Sequence, residues 1–264
     1  GEMADAWNVD HPSRVFQVAK DYVDAGAEVI LTNTFNSNRT VLERHGMADR
    51  VAEFCKAGSE ISKRAAAGKA YVFASVGPSG KMVMMGELQP DEQESYVAEQ
   101  ASAHEAGGAD AIVIETQSDL MEAEAGLKGA VRATSPPVGV TFTFDSGENN
   151  DHTMMGVSIQ EAYQMAKNNG ASFVGANCGA GIETFENIAR QFAECGTELP
   201  IWVKGNAGLP QTDDDGNLYY CAGPEVYAQA VPRLLEAGAR FIGGCCGSSP
   251  EHIRAISEAI RKQR

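Results

Sequence analysis

The sequence has no apolar run approaching the ~20 residues of a membrane span. Its start lacks the pattern of a secretory leader. Basic charge is scarce: 21 Lys and Arg stand against 36 Asp and Glu, a formal net charge of -15 over 264 residues. Binding to a phosphate backbone needs clustered cations, so no nucleic-acid partner and no membrane partner is expected. A disulfide framework is missing too. Six cysteines in a chain of this length are too sparse for a small secreted scaffold, and a reducing, cytoplasmic compartment is the expectation. What remains is ordinary globular composition, 43% hydrophobic, enough to bury one barrel-sized core across residues 1–264 as a single domain.

One phrase recurs: a helix, a small-residue turn with glycine, then an apolar strand that ends in polar residues. It leads through Ala25-Gly26-Ala27 into a strand over 28–34, and through Gly107-Gly108-Ala109 into 110–115. It returns at Gly170-Ala171 before 172–177 and at Ala237-Gly238-Ala239 before 240–244. Further strands are expected at 70–76, 138–144 and 200–204. Helices are expected at 12–25, 41–67, 91–106, 119–133, 158–169, 183–195, 224–237 and 250–262. Residues 1–10 show no periodicity, although Trp7 could cap a core. Repetition of one helix-to-strand unit predicts a parallel α/β architecture. Seven strands fall one short of the eight that close a barrel, and the expectation is that a first strand is missing from the sequence given.

The chemistry concentrates at two strand ends. Phe241-Ile242-Gly243-Gly244-Cys245-Cys246-Gly247 runs into Ser249-Pro250, an N-cap followed by proline at the first helical position. Adjacent side chains on a strand point to opposite faces, so the two thiols converge only if the backbone turns, which the glycines permit. Phe173-Val174-Gly175-Ala176-Asn177-Cys178-Gly179 presents a third thiol in a similar setting. Three thiolates with a fourth position open suit a catalytic zinc. The competing reading makes all three small buried hydrophobes. Cys55, Cys195 and Cys221 have no partner spacing and read as structural.

These motifs resemble the homocysteine S-methyltransferase family, which includes the homocysteine-binding domain of cobalamin-dependent methionine synthase and betaine–homocysteine methyltransferase. Gly243-Gly244-Cys245-Cys246-Gly247 with Pro250-Glu251-His252-Ile253, and Asn177-Cys178, carry the resemblance. Thr32-Asn33-Thr34-Phe35, Ser75-Val76-Gly77-Pro78, Glu115-Thr116 with Asp119, and Asn206-Ala207-Gly208-Leu209-Pro210 support it. The resemblance implies a (β/α)8 TIM-type barrel whose zinc is held by Cys178, Cys245 and Cys246. It implies methyl transfer to a thiol, homocysteine first, with methionine as product. Glu115 would bind the substrate ammonium, with Thr34 and Asn206 as further substrate-binding residues. Glu115 also reads as a carboxylate at a helix N-terminus, and Thr34 and Asn206 as residues that satisfy backbone groups. The family's opening strand with its Asp-Gly-Ala-Met-Gly-type turn has no match before Trp7.

Several alternatives stay open. The expectation is a stand-alone domain without an attached folate or cobalamin domain, whose methyl source would be a small donor or a methyl-corrinoid on a separate protein. Thr153-Met154-Met155-Gly156 either faces that donor or is an ordinary methionine pair. The chain could also serve a corrinoid-linked demethylation system, or be a non-catalytic zinc module. A metal-free aldolase-type barrel would need a strand-end lysine, for which Lys204 is the candidate, without a phosphate-binding glycine loop. Asp213 to Asn217 resembles a fragment of a calcium loop and reads better as a surface turn. A homo-oligomeric state stays open.

Overall fold

Apolar runs bounded by glycine turns become strands that alternate with amphipathic helices. The structure, a computed structural model, describes residues 3–213 and 215–263. In chain order these form α1 (Trp7–Asp10), α2 (Pro12–Asp24), β1 (Val29–Leu31), α3 (Arg39–Glu43), α4 (Val51–Ala66), β2 (Tyr71–Val76) and α5 (Pro90–Ala106). There follow β3 (Ala111–Gln117), α6 (Leu120–Ala133), β4 (Val138–Phe142), α7 (Ile159–Asn168), β5 (Phe173–Gly181), α8 (Phe185–Cys195) and β6 (Ile201–Asn206). A short hairpin, β7 (Gln211–Thr212) and β8 (Leu218–Tyr219), precedes α9 (Pro224–Glu236), β9 (Ala239–Gly244) and α10 (Pro250–Arg261). No helix among the described residues is long and apolar enough to cross a membrane.

The main sheet is parallel throughout and runs β1-β2-β3-β4-β5-β6-β9. Four strand steps separate β2 from β6, about 19 Å in a flat sheet at the usual spacing. Yet the rings of Phe73 on β2 and Trp202 on β6 stack with centroids 5.7 Å apart. Phe73 also meets Phe241 of β9 at 6.0 Å. The sheet is therefore curled into most of a barrel. Phe73, Phe173, Trp202 and Phe241 fill its lower interior, with Trp202 and Phe241 at 5.1 Å. Aromatic pairs of this kind are worth ~0.5–1.5 kcal/mol each beyond the area they bury. Gly175 makes the fit possible: a β-carbon there would lie 1.8 Å from the carbonyl oxygen of Trp202.

Among the described residues β1 and β9 do not pair with each other. Between them lies a cavity of about 750 Å³ lined by Val29, Leu31, Trp202, Lys204, Phe241 and Cys245, among others. The helical layer does bridge this opening, since Tyr22 Oη of α2 donates to the carbonyl of Ser248 at 2.9 Å.

Three local expectations need correction. The single helix over 41–67 is broken: Gly46 takes a left-handed φ of +69° and Met47 N–H returns to Leu42 O at 2.9 Å, a glycine-terminated helix end. A short 3₁₀ turn, Ala48–Arg50, then leads into α4. Residues expected to be irregular are helical, as Ala4–Ala6 and α1. They are tied down by Asp5 Oδ1, which accepts from Asn36 N–H at 2.9 Å and Ser37 Oγ at 2.8 Å. Trp7 is half-buried there and lies under Arg14, whose guanidinium carbon is 5.3 Å from the ring centroid. The strand expected over 28–34 is ordered as a strand only at Val29–Leu31.

Candidate metal centre

The rule that alternate strand residues share a face layers the interior. On β6, Trp202 belongs to the aromatic floor, Lys204 to the layer above it and Asn206 to the mouth. On β9 the same steps are Phe241, Gly243 and then Cys245, just past the strand end, while on β5 Gly175 pairs with Trp202 and Asn177 with Lys204.

At the mouth the chain leaves strand geometry twice. Cys178 takes φ +65°, a conformation that costs a non-glycine residue ~1–2 kcal/mol. Past β9, Cys245 N–H donates to Gly205 O at 2.8 Å and Ser248 N–H closes back on Cys245 O at 3.1 Å. Gly247, at φ +78°, lets the ring of Tyr220 pack where a β-carbon would be, 2.2 Å from the nearest ring carbon. These turns bring Cys178, Cys245 and Cys246 together. Their sulfurs all lie within 4.8 Å of one another, and Cys178 Sγ and Cys246 Sγ are 3.8 Å apart. A tetrahedral zinc with bonds of about 2.3 Å spaces its sulfurs about 3.8 Å apart, so the donor set fits that ion in type and spacing.

Two asparagines hold the turns. Asn206 Oδ1 accepts from Cys246 N–H at 3.1 Å, while its Nδ2 donates to Gly179 O at 3.1 Å, tying both cysteine segments to β6. Asn177 Oδ1 accepts from Thr141 Oγ1 at 2.6 Å and Thr116 N–H at 3.0 Å. Its Nδ2 donates to Thr116 Oγ1 at 2.8 Å and points to Cys245 Sγ at 3.9 Å. Thr116 is itself left-handed, at φ +63°.

All three thiols lie above their ordinary pKa. For Cys245 the leading cause is the hydrogen bond with Cys178; Cys246 and the nearby Lys204 charge act the other way. For Cys178 the hydrogen bond with Cys245 lowers the value, but the bond with Cys246 and burial outweigh it. Cys246 behaves alike, lowered by Cys178 and raised on balance by Cys245 and burial. Three crowded thiols resist ionising together, and a divalent cation reverses that balance.

One layer down, Glu115 is 4% exposed. It accepts from Lys204 Nζ at 2.7 Å and from Ser75 Oγ. Burial opposes the Lys204 charge, but Glu115 more than offsets it and raises the lysine pKa. A lysine held charged in a buried ion pair is a poor Schiff-base nucleophile, which counts against the aldolase alternative. Thr34 is fully buried at the end of the β1 segment, where its Oγ1 donates to Ser75 O at 2.8 Å and meets Thr32 Oγ1 at 2.6 Å.

Thus the structure gathers the three cysteines, places Asn206 between their two turns, and sets Glu115 beneath them. Thr34 lies to one side, bonded to β2. Met154 is exposed on the rim, while Thr153 Oγ1 is anchored to Ser118 O at 2.8 Å. Asp213 closes a surface turn by accepting from Asn217 N–H at 2.7 Å. Cys55 is fully buried and Cys195 half-buried. Sequence reasoning passed over the pairing of Lys204 with Glu115, and the Ser75 contact. The available signal was a lysine inside an otherwise apolar strand, level with a strand-end glutamate.

The family described as homocysteine S-methyltransferase matches residues 2–260. Methionine synthase of Mycobacterium tuberculosis is 30% identical over 264 residues, covering 96% of this chain and 22% of that protein. The Mycobacterium leprae methionine synthase is 29% identical over 266 residues, covering 97% and 22%. The chain thus spans about a fifth of the length of these relatives. Among solved structures, the homocysteine methyltransferase MmuM from Escherichia coli, in its metallated form, superposes with a TM-score of 0.79. It is 21% identical, over 97% of this chain and 87% of that one, and shares the fold.

Proposed function

The chain belongs to the homocysteine S-methyltransferase family, and from that premise we propose that it methylates the sulfur of a thiol acceptor, homocysteine, to give methionine. The observation that carries this is the triangle of Cys178, Cys245 and Cys246, assembled from two strand ends far apart in sequence. These residues would hold a zinc ion, which supplies the Lewis acidity that makes a bound thiol ionise at neutral pH. The acceptor sulfur, freed of its proton, attacks the methyl carbon; the S–C bond forms and the donor leaves with the electrons of its bond to methyl.

The chain's own groups prepare that attack. Asn206 and Asn177 fix the two cysteine turns against β3 and β6. Glu115 offers a buried carboxylate beneath the mouth for the acceptor's ammonium. The aromatic floor of Phe73, Phe173, Trp202 and Phe241 fills the interior below the mouth. The methyl source, a small donor or a methyl-corrinoid on another protein or domain, approaches from the rim, where Met154 is exposed. Six free cysteines suit a reducing cytoplasm.

The test is zinc content of the reduced protein, with X-ray absorption at the zinc edge before and after homocysteine. The expected result is about one zinc with about three sulfur ligands, rising to about four with homocysteine, and loss of zinc and transfer in Cys246→Ser. Full zinc and full transfer in Cys246→Ser would overturn the three-thiolate site. A sulfur count indifferent to homocysteine would overturn the acceptor.

A further inference from the structure

The ion pair beneath the cysteines is only half spent. An ammonium carries three N–H donors. Among the described residues the hydrogen-bond acceptor recorded for Lys204 Nζ is Glu115, at 2.7 Å. Another side of the ammonium faces the Trp202 ring, 5.9 Å from its centroid. The lysine side chain is 10% exposed, and it lines the cavity that also reaches Thr32, Gly243 and Cys245. Buried N–H donors without an acceptor are costly even where the charge itself is balanced by a carboxylate. An anion entering the cavity would take up the remaining donors.

Position adds a second constraint. Lys204 is opposite Gly243 in the β6–β9 ladder, two residues before Cys245. Two strand residues rise about 6.6 Å, of the order spanned by an extended amino acid between its α-carboxylate and a sulfur two methylenes out. We infer that Lys204 binds the carboxylate of the acceptor, so that Lys204 and Glu115 together form a two-charge receptor selecting α-amino-acid thiols. This rests on the thiol-acceptor reading above. A zwitterion fits the pair head to tail and leaves the buried charge balanced, with ammonium on Glu115 and carboxylate on Lys204. An amine-only thiol brings an uncompensated positive charge and leaves the Lys204 donors unmet.

The experiment is calorimetric binding of three thiols to the zinc-loaded protein: homocysteine, its des-carboxy analogue aminopropanethiol, and its des-amino analogue mercaptobutyrate. Wild type is expected to bind homocysteine about 10- to 100-fold more tightly than aminopropanethiol, the usual yield of a charge-assisted hydrogen bond. Lys204→Met should reduce homocysteine to the aminopropanethiol level and weaken mercaptobutyrate in step. It should leave aminopropanethiol unweakened or tighten it, because its ammonium then balances the unpaired Glu115, and Lys204→Arg should restore part of the difference. Equal weakening of all three thiols in Lys204→Met would make the lysine a mere partner of Glu115 and overturn the inference. So would a wild-type protein that does not distinguish homocysteine from aminopropanethiol, a comparison that needs no variant to fold. If wild type binds none of the three, the thiol-acceptor reading fails, and this inference with it.

Discussion

The floor and the mouth of the curled sheet are made by the same strands, a few residues apart, and have opposite chemistry. On β6, Trp202 meets three other aromatic side chains at the floor, while Asn206 at the mouth spends its amide on two cysteine turns. The floor has side chains in ordinary extended backbone, and its energy is burial. At the mouth, backbone geometry is forced, with Thr116 and Cys178 both at positive φ, and polar atoms are paired to one another. Stability and chemistry are therefore separable along a single strand: floor substitutions should unfold the protein before they disable the site, and mouth substitutions the reverse.

The largest effect should come from the floor. Trp202→Ala removes a side chain that is 4% exposed and is expected to cost ~3–5 kcal/mol, the usual range for an aromatic-to-alanine change in a core. Denaturant unfolding measures it. Trp202→Phe should cost far less, because the indole N–H has no hydrogen-bond partner to lose. Zinc affinity of the folded fraction should change little in either variant; a large loss would mean that floor and mouth are mechanically one unit.

The mouth should give the reverse pattern. Asn206→Ala unties Cys246 N–H and Gly179 O together. Loss of such supporting contacts typically lowers metal affinity ~10- to 100-fold, readable by competition with a chelator. Unfolding of the metal-free protein should shift by only ~1–2 kcal/mol, the cost of leaving two backbone groups short of a partner. A stability loss as large as that of Trp202→Ala would place Asn206 with the floor.

This division also decides what was legible in the sequence. The apolar runs ending at Leu31, Val76 and Gly244 announced strands, and glycines beside Cys178 and Cys245 announced turns, because both are local signals. The convergence of those turns could be inferred, since both lie at the same ends of parallel strands. The floor could not: nothing near Phe73 says that the sheet curls until it meets Trp202. Lys204 was equally hidden, because its meaning depends on Glu115, 89 residues away. The break at Gly46 was overlooked because amphipathic periodicity resumes on its far side, in α4.

The smallest effect is the sharpest test of strain at the mouth. Thr116 is β-branched and sits at φ +63°, where such a residue costs ~1–2 kcal/mol. Asn177 compensates by accepting from the Thr116 N–H at 3.0 Å and donating to its Oγ1 at 2.8 Å. Thr116→Ala loses the hydroxyl bond and keeps the strain, for a cost of ~1–2 kcal/mol. Thr116→Gly loses the same bond and adds glycine's unfolded-state entropy, ~0.5–1 kcal/mol, but it releases the strain. At an unstrained strand position glycine would be the less stable of the two variants. Here the order should invert, with Thr116→Gly equal to or up to ~1 kcal/mol more stable than Thr116→Ala. Paired unfolding curves decide it: alanine above glycine would mean that this backbone carries no strain, and that Asn177 orients Thr116 without having to hold it.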